Sequence, residues 1–243
     1  MPKTKNPYRK AIKQTKQAIA DFYYNSIYTN NRIVKSNDAL ILEAITIASQ
    51  GEFSALDICL KNNNFGKGFN NIIKSGYQSK YGTLPIIKVF SQPQTKYTPI
   101  ILRKLFEAGA SPNIPFKNTH DTKVGGLGEH QIYTPLQIAI LKDASEESLE
   151  IMLEYGADPK QTGNVGQNCL HFLAMKGASS QIMKQFIELT DEDSINDGDI
   201  NGNTALYHAA EQGSLENVQL LIKDGADINL HSDKGMPPLS AAI

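Results

Sequence analysis

Cysteine is scarce in this 243-residue chain. Only Cys59 and Cys169 are present, each among apolar neighbours in a segment of helical spacing. Two isolated thiols exclude a disulfide framework, offer no zinc-ligand spacing, and fit burial in a reducing compartment. Long apolar runs are missing as well: none approaches the ~18 residues of a membrane helix. The basic N-terminal stretch is not followed by the apolar core of a signal peptide, so no secretory leader is expected. Excess charge of either sign is absent from the whole. A formal net charge of −1 argues against a molecule built for nucleic acid. The glycines of Gly125-Gly126-Leu127-Gly128 follow no strand and precede no Lys-Ser pair or helix signal, so they are no phosphate loop.

What is present is the composition of a folded protein, 40% hydrophobic and 20% charged. The stretch from Asn201 to His231 sets the phase of the rest. Thr204 is placed to cap a helix, and Ala205, Leu206, Ala209 and Ala210 give that helix a packing face of mostly small residues. Gly213 supplies a turn. Val218, Leu220, Leu221 and Ile222 form a second apolar helix at helical spacing, and Gly225 ends it where a left-handed residue is needed. Asp227, Ile228 and Asn229 lead outward into a turn. Gly202 recurs as Gly235, 33 residues later.

The run resembles an ankyrin repeat, whose pattern is G-x-T-P-L-H-x-A-A-x-x-G, an apolar helix, then G-A-D-x-N, with a period of about 33 residues. Ala205 stands for the proline, and Tyr207-His208 for the His-Leu order. Thr134-Pro135-Leu136-Gln137-Ile138-Ala139 is the best copy of the opening and closes at Gly156-Ala157-Asp158. Gly166 to His171 opens another, whose end is lengthened over Leu189 to Ile200. Gly109-Ala110-Ser111-Pro112-Asn113 closes an earlier unit after a helix from Thr98 to Ala108. Ile47-Ala48-Ser49-Gln50-Gly51, followed by Ala55, Leu56 and Cys59, gives a degenerate first unit in which Gly51 plays the part of Gly213. The resemblance implies an all-α ankyrin solenoid with short β-hairpin loops. Residues 1–36, a basic amphipathic segment built on Tyr8, Ile12, Ile19, Phe22, Tyr23 and Ile27, would cap it, and residues 37–243 would form the repeat domain.

Two irregularities stand out. From Gly225 to Pro237 the chain takes 12 residues, but from Gly109 to Thr134 it takes 25. The extra stretch within Asn113–Tyr133 carries His120 and His130, and loops of such length are often functional or disordered. The unit opened at Gly235 has a first helix and no second, which leads to the expectation that a longer polypeptide continues past Ile243.

The resemblance implies protein recognition, because a stack of repeats makes an extended concave surface without a deep pocket. In ankyrin repeats the contacts come from the hairpin tips and the open side of the first helices. Carried over, these are Tyr133, Leu141, Lys142, Asn164, Val165, Gln167, Met175, Lys176, Ile200, Asn201, Asn203, Glu211 and Gln212. The expected partner is a protein, not a nucleic acid, and the expected state a monomer; membrane contact through the basic N-terminal helix is the minor alternative. Neither cofactor nor metal is expected. His171, at the histidine of T-P-L-H, is expected to bond the backbone of adjacent hairpins, and a Cys169–His171 dyad is disfavoured by burial and by their closeness on one helix. Leu221, Asp227 and Asn229 resemble the site at which an asparaginyl hydroxylase modifies ankyrin domains, with Asn229 the target. Only three of the 24 basic residues are arginine. That bias, with abundant Asn and Ile, resembles the AT-rich genomes of several intracellular bacteria. It suggests an ankyrin-type effector, cytoplasmic and delivered into the host cytosol without a cleaved signal. The alternative is the targeting part of a larger enzyme whose catalytic domain lies beyond residue 243.

Overall fold

A computed structural model describes residues 37–61, 85–118, 128, 131–191 and 194–242. The expected N-terminal helix within 1–36, and His120 and His130 of the insertion, lie outside the described residues. Among the described residues ten helices follow one another: α1 (Asn37–Ala48), α2 (Ser54–Lys61), α3 (Pro85–Phe90), α4 (Thr98–Glu107), α5 (Pro135–Leu141), α6 (Glu146–Glu154), α7 (Cys169–Met175), α8 (Ser180–Glu188), α9 (Ala205–Glu211) and α10 (Leu215–Lys223). Short 3-10 turns occupy Ser194–Asn196 and Pro238–Ala242.

The helices pack in consecutive pairs, and the pairs stack. The first helices α1, α3, α5, α7 and α9, then the Pro238–Ala242 turn, form one continuous row. In the second row α4 packs on α6 and α8 on α10. The architecture is an all-α solenoid, as expected.

Local sequence accounts for the short helices. Thr134 starts α5 with a reciprocal cap: its side chain accepts from the Gln137 N–H, and the Gln137 side chain accepts from the Thr134 N–H. Asn168 and His171 build the same device on α7. Ser145, Ser179 and Thr204 cap α6, α8 and α9 through their hydroxyls. The second helices α4, α6 and α10 end alike, with the Ala110, Ala157 and Ala226 N–H groups reaching back to Leu105, Met152 and Leu221. The preceding glycine lies in the left-handed region each time, as at Gly225 (φ +102°).

Between paired helices the turn also needs a left-handed residue. Gly51 (φ +94°) takes that place in the first unit, as its phase predicted. After α5 the place is taken by Asp143 at φ +53°, the one non-glycine among the described residues with positive φ.

The core runs the length of the stack as one cluster. It holds Ile41, Ile45, Leu56, Leu102, Leu105, Leu136, Ile138, Leu149, Met152, Leu170, Phe172, Met183, Phe186, Leu206 and Leu221. Each such side chain is worth about 1.5–3 kcal/mol when removed from water. The expected apolar face of α10 is only partly right. Leu221 is buried and Val218 and Leu220 half-buried, but Ile222 is 44% exposed.

The insertion contributes a small antiparallel pair, β1 (Phe116–Lys117) with β2 (Ile132–Tyr133). Phe116 faces Tyr133 across it, and both are buried. Lys117 and Ile132 take the other, open side. Among the described residues no helix is long and apolar enough to cross a membrane.

Candidate functional site

Successive hairpins are locked side by side along one edge of the stack. Asn164 accepts the Ile132 N–H at 2.7 Å, the Ile200 N–H donates to the Val165 carbonyl at 2.9 Å, and the Asp233 N–H donates to the Asn201 carbonyl at 2.9 Å. Gly163 lies so close to the Ile132 carbonyl that a Cβ there would sit 1.8 Å from its oxygen. A side chain at 163 would therefore push the tips apart.

Buried side chains behind the tips hold the edge in place. Gln137 is fully buried, and its amide donates to the Gln161 and Gln167 carbonyls of the next hairpin, both at 2.8 Å. His171 repeats that role one unit later, its Nε2 facing the Asn203 carbonyl at 3.2 Å. A carbonyl only accepts, so Nε2 carries the proton and Nδ1 is left to accept the Asn168 N–H at 3.2 Å. Burial first, then the neighbouring His208, press the His171 pKa down to about 4, so the ring is neutral.

Asp199 anchors the following tip. It accepts from the Asn201 and Asn203 N–H groups at 2.8 and 3.1 Å, from the Gln167 amide at 3.3 Å, and from His208 Nε2 at 3.1 Å. Burial works against its charge, but these donors outweigh it and hold the carboxyl below the usual carboxylate range. His208 thus has a structural role, with Asp199 as its partner. The sequence reading missed Asp199 itself. Its one signal was an acid placed before a turn rich in N–H donors.

The expected contact residues divide into groups. Val165, Gln167, Met175 and Ile200 form one patch: the Gln167 amide reaches Met175 Sδ at 3.6 Å and Asp199 at 3.3 Å, and Val165 is bonded to Ile200. Ile200 is 66% exposed at its tip and Met175 36%. Asn164, Asn201, Lys176, Glu211 and Gln212 are exposed, while Leu141, Lys142 and Asn203 are half-buried. Lys176 is drawn to Asp143 at 2.7 Å, beside Lys142. Asn229 is exposed on the turn after α10.

Tyr133 does not belong to this surface. It is 4% exposed and packs against Phe172 at 6.0 Å between ring centroids. Its hydroxyl accepts the Gly128 N–H and donates to the Gln131 side chain. The strand pairing is the cause: successive residues of β2 point to opposite sides, so exposing Ile132 sends Tyr133 inward.

Nucleophilic chemistry finds no support at the cysteines. Burial pushes Cys59 up to about 12 and, with the Asp158 charge, drives Cys169 higher still, which opposes the thiolate a nucleophile needs. The acidic face of α6 (Glu146, Glu147, Glu150 and Glu154) is exposed, and Glu154 bonds Arg103 at 3.2 Å. That is a solvated face with an exposed ion pair.

The ankyrin repeat family, described as "Ankyrin repeats (3 copies)", matches residues 136–232. Curated relatives resemble part of the chain. The transient receptor potential cation channel subfamily A member 1 of Drosophila melanogaster is 31% identical over 133 residues, covering 52% of this chain and 11% of that protein. Delta-latroinsectotoxin-Lt1a of Latrodectus tredecimguttatus is 32% identical over 151 residues, 62% and 12% respectively. The phosphocholine transferase AnkX of Legionella pneumophila is 25% identical over 144 residues, 59% and 14%. The chain therefore spans about a tenth to a seventh of the length of the relatives it matches.

Proposed function

We propose that this chain, an all-α ankyrin-repeat solenoid, holds a partner protein along its hairpin edge and the open side of its first helices. The observation that carries the reading is Ile200, 66% exposed on a tip that hydrogen bonds fix on both sides. Met175 adds a second exposed apolar side chain, tied through the Gln167 amide to Asp199, the residue before Ile200, with Asn164, Asn201, Lys176, Glu211 and Gln212 as a polar rim. An apolar centre inside a polar rim is the usual anatomy of a protein interface. Tips locked before binding need little further ordering, which favours affinity.

Capture from host-cell lysate with the 243-residue chain, against its Ile200→Glu and Met175→Glu variants, tests this. Burying a large aliphatic side chain is worth about 1.5–3 kcal/mol, so recovery of a specific partner should fall roughly 10- to 100-fold. Glu147→Lys, on the exposed face of α6, should change nothing. Equal recovery by all four proteins rejects the edge as the binding face.

The partner belongs to a host cell in this reading, and the chain is a bacterial effector acting in the host cytosol. Its support is the resemblance to AnkX together with the lysine-rich composition. A second reading makes this region the targeting part of a larger enzyme, favoured by the small share of the phosphocholine transferase that it matches. In that case Met175→Glu would lower the complete polypeptide's activity on its protein target without altering turnover of a small-molecule substrate. Asn229 remains a proposed hydroxylation target, its exposure being the supporting observation. Peptide mass analysis after treatment with the asparaginyl hydroxylase should show one added oxygen there, and an unchanged mass rejects it.

A further inference from the structure

The fold treats its methionines in two ways. Met152 on α6 and Met183 on α8 are fully buried in the core. Met175, the last residue of α7, is 36% exposed, and Met236 is 38% exposed. A thioether at the surface meets small oxidants that the core excludes, and its oxidation gives a polar sulfoxide that can be reduced again.

Met175 has a neighbour that suits the oxidised form better than the reduced one. The Gln167 side-chain nitrogen lies 3.6 Å from Met175 Sδ and 3.3 Å from Asp199 Oδ2. An amide nitrogen carries two hydrogens, so it can offer one to each acceptor. Asp199 is itself fixed by the Asn201 and Asn203 N–H groups at 2.8 and 3.1 Å and by His208 Nε2 at 3.1 Å. The donor aimed at the sulfur is therefore held from behind. A thioether is a weak acceptor, and 3.6 Å makes a loose contact. A sulfoxide oxygen is a far stronger acceptor. Standing on Sδ, it would lie nearer the amide and bring the contact into the ordinary hydrogen-bond range.

We propose that Met175 is a reversible oxidation site whose sulfoxide is held by the Gln167 amide while the fold stays intact. The oxidant is hydrogen peroxide. The sulfur lone pair attacks one peroxide oxygen, and the S–O bond forms as the O–O bond breaks. The departing hydroxide takes the proton from the oxygen now on sulfur and leaves as water. Sulfur is thereby oxidised by two electrons and the peroxide reduced by two. Attack comes from the solvent side, and rotation of the flexible thioether arm swings the new oxygen to the amide. Return takes a methionine sulfoxide reductase and a thiol reductant. The reduced side chain offers apolar surface beside Gln167, and the oxidised one offers a dipole already engaged with that amide. Resting on the partner-binding reading above, oxidation becomes a switch that withdraws the Met175 contact from the edge.

The test uses the 243-residue chain carrying Met236→Leu, which removes the other exposed thioether, beside a double variant that adds Met175→Leu. After dilute hydrogen peroxide, peptide mass analysis should show an oxygen gained at Met175 roughly 10-fold or more faster than at Met152 or Met183. Methionine sulfoxide reductases with dithiothreitol should remove it. Oxidation should move the Gln167 side-chain amide signals in a proton–nitrogen correlation spectrum and leave those of the double variant in place. The thermal midpoint should change by less than about 3 °C. Equal oxidation of Met175 and the buried pair overturns the proposal, as do unmoved Gln167 signals, a larger fall in the midpoint, or a sulfoxide the reductases leave untouched. For the switch, capture from host-cell lysate is repeated with oxidised chains. The oxidised single variant should recover roughly 10-fold less of the partner that Ile200→Glu loses, and the oxidised double variant as much as its reduced form. A loss with Ile200→Glu and none on oxidation overturns the switch and leaves the edge standing. No loss with Ile200→Glu refutes the edge and the switch with it, while the mass and amide signals still decide the oxidation site.

Discussion

Acidification should loosen the stack at one identifiable point, the His171 ring between α7 and the next hairpin. The perturbation is His171→Gln, and the structure itself supplies the precedent. Gln137 fills the equivalent place one unit earlier, capping its own helix and donating to the Gln167 carbonyl, the counterpart of the Asn203 carbonyl that His171 faces. In the folded protein the His171 pKa is lowered to about 4, mainly by burial, against an ordinary 6.5. Between those values the unfolded chain binds a proton that the folded chain refuses. Stability is therefore complete above about pH 6.5 and falls as the pH drops toward 4. A shift of this size costs about 2 kcal/mol between pH 7 and pH 5, rising to about 3 kcal/mol below pH 4. Asp199, held below the ordinary carboxylate range, acts with the same sign but at lower pH: its contribution is present above about pH 4 and is lost as the pH falls through its depressed value. The window from pH 7 to pH 5 thus separates the His171 contribution from that of Asp199. Urea unfolding followed by circular dichroism should show the natural chain losing about 2 kcal/mol across that window and His171→Gln losing less than about 0.5 kcal/mol. At pH 7 the variant should stay within about 1.5 kcal/mol of the natural chain, since the hydrogen bond to the carbonyl is kept. An unchanged pH dependence in His171→Gln would refute the assignment.

Three further outcomes are expected. Asp143→Gly relieves a left-handed non-glycine at φ +53° and gives up an exposed pair with Lys176; the gain should be about 0.5–1 kcal/mol, a rise of roughly 1–4 °C in the melting midpoint. Gln137→Ala removes a fully buried amide bonded to the Thr134 N–H and to two carbonyls, and it should cost about 3 kcal/mol or more in urea unfolding. Cys59 and Cys169, both buried with their thiols pushed up, should not react with Ellman's reagent until the chain is unfolded.

The repeat phase was legible because it rests on local chemistry. Gly51, Thr134, Thr204 and Gly225 are fixed by capping and by left-handed turns, which a single segment declares on its own. Burial at the edges was less so, because exposure depends on which neighbour arrives. Tyr133 looked like a contact because its position in the repeat faces outward, yet the β1–β2 pairing turns it inward. Asn196 carried no Gly-Ala-Asp signal before it. Its bond to the Gly225 carbonyl exists only because the 3-10 turn at Ser194–Asn196 brings the lengthened connection back into register. Asp143 was unremarkable in sequence, since nothing local says that its position needs a positive φ. At the candidate site, the exposure of Ile200 and Met175 follows from their place in the repeat, whereas the Asp199 network around them spans three segments and had no linear signature.

The staples between units share a property with an evolutionary consequence. Gln137, His171, Asn113 and Asn196 all grip main-chain groups of the neighbouring unit. A carbonyl is supplied by whatever residue stands there, and an N–H by any residue but proline, so the gripped unit keeps its attachment while its own side chains drift. Asn203, whose carbonyl rather than its side chain is gripped, is a residue the edge can exchange for another. Mutation can therefore change the side chains along the edge, tip by tip, without first having to re-engineer what keeps the tips in line.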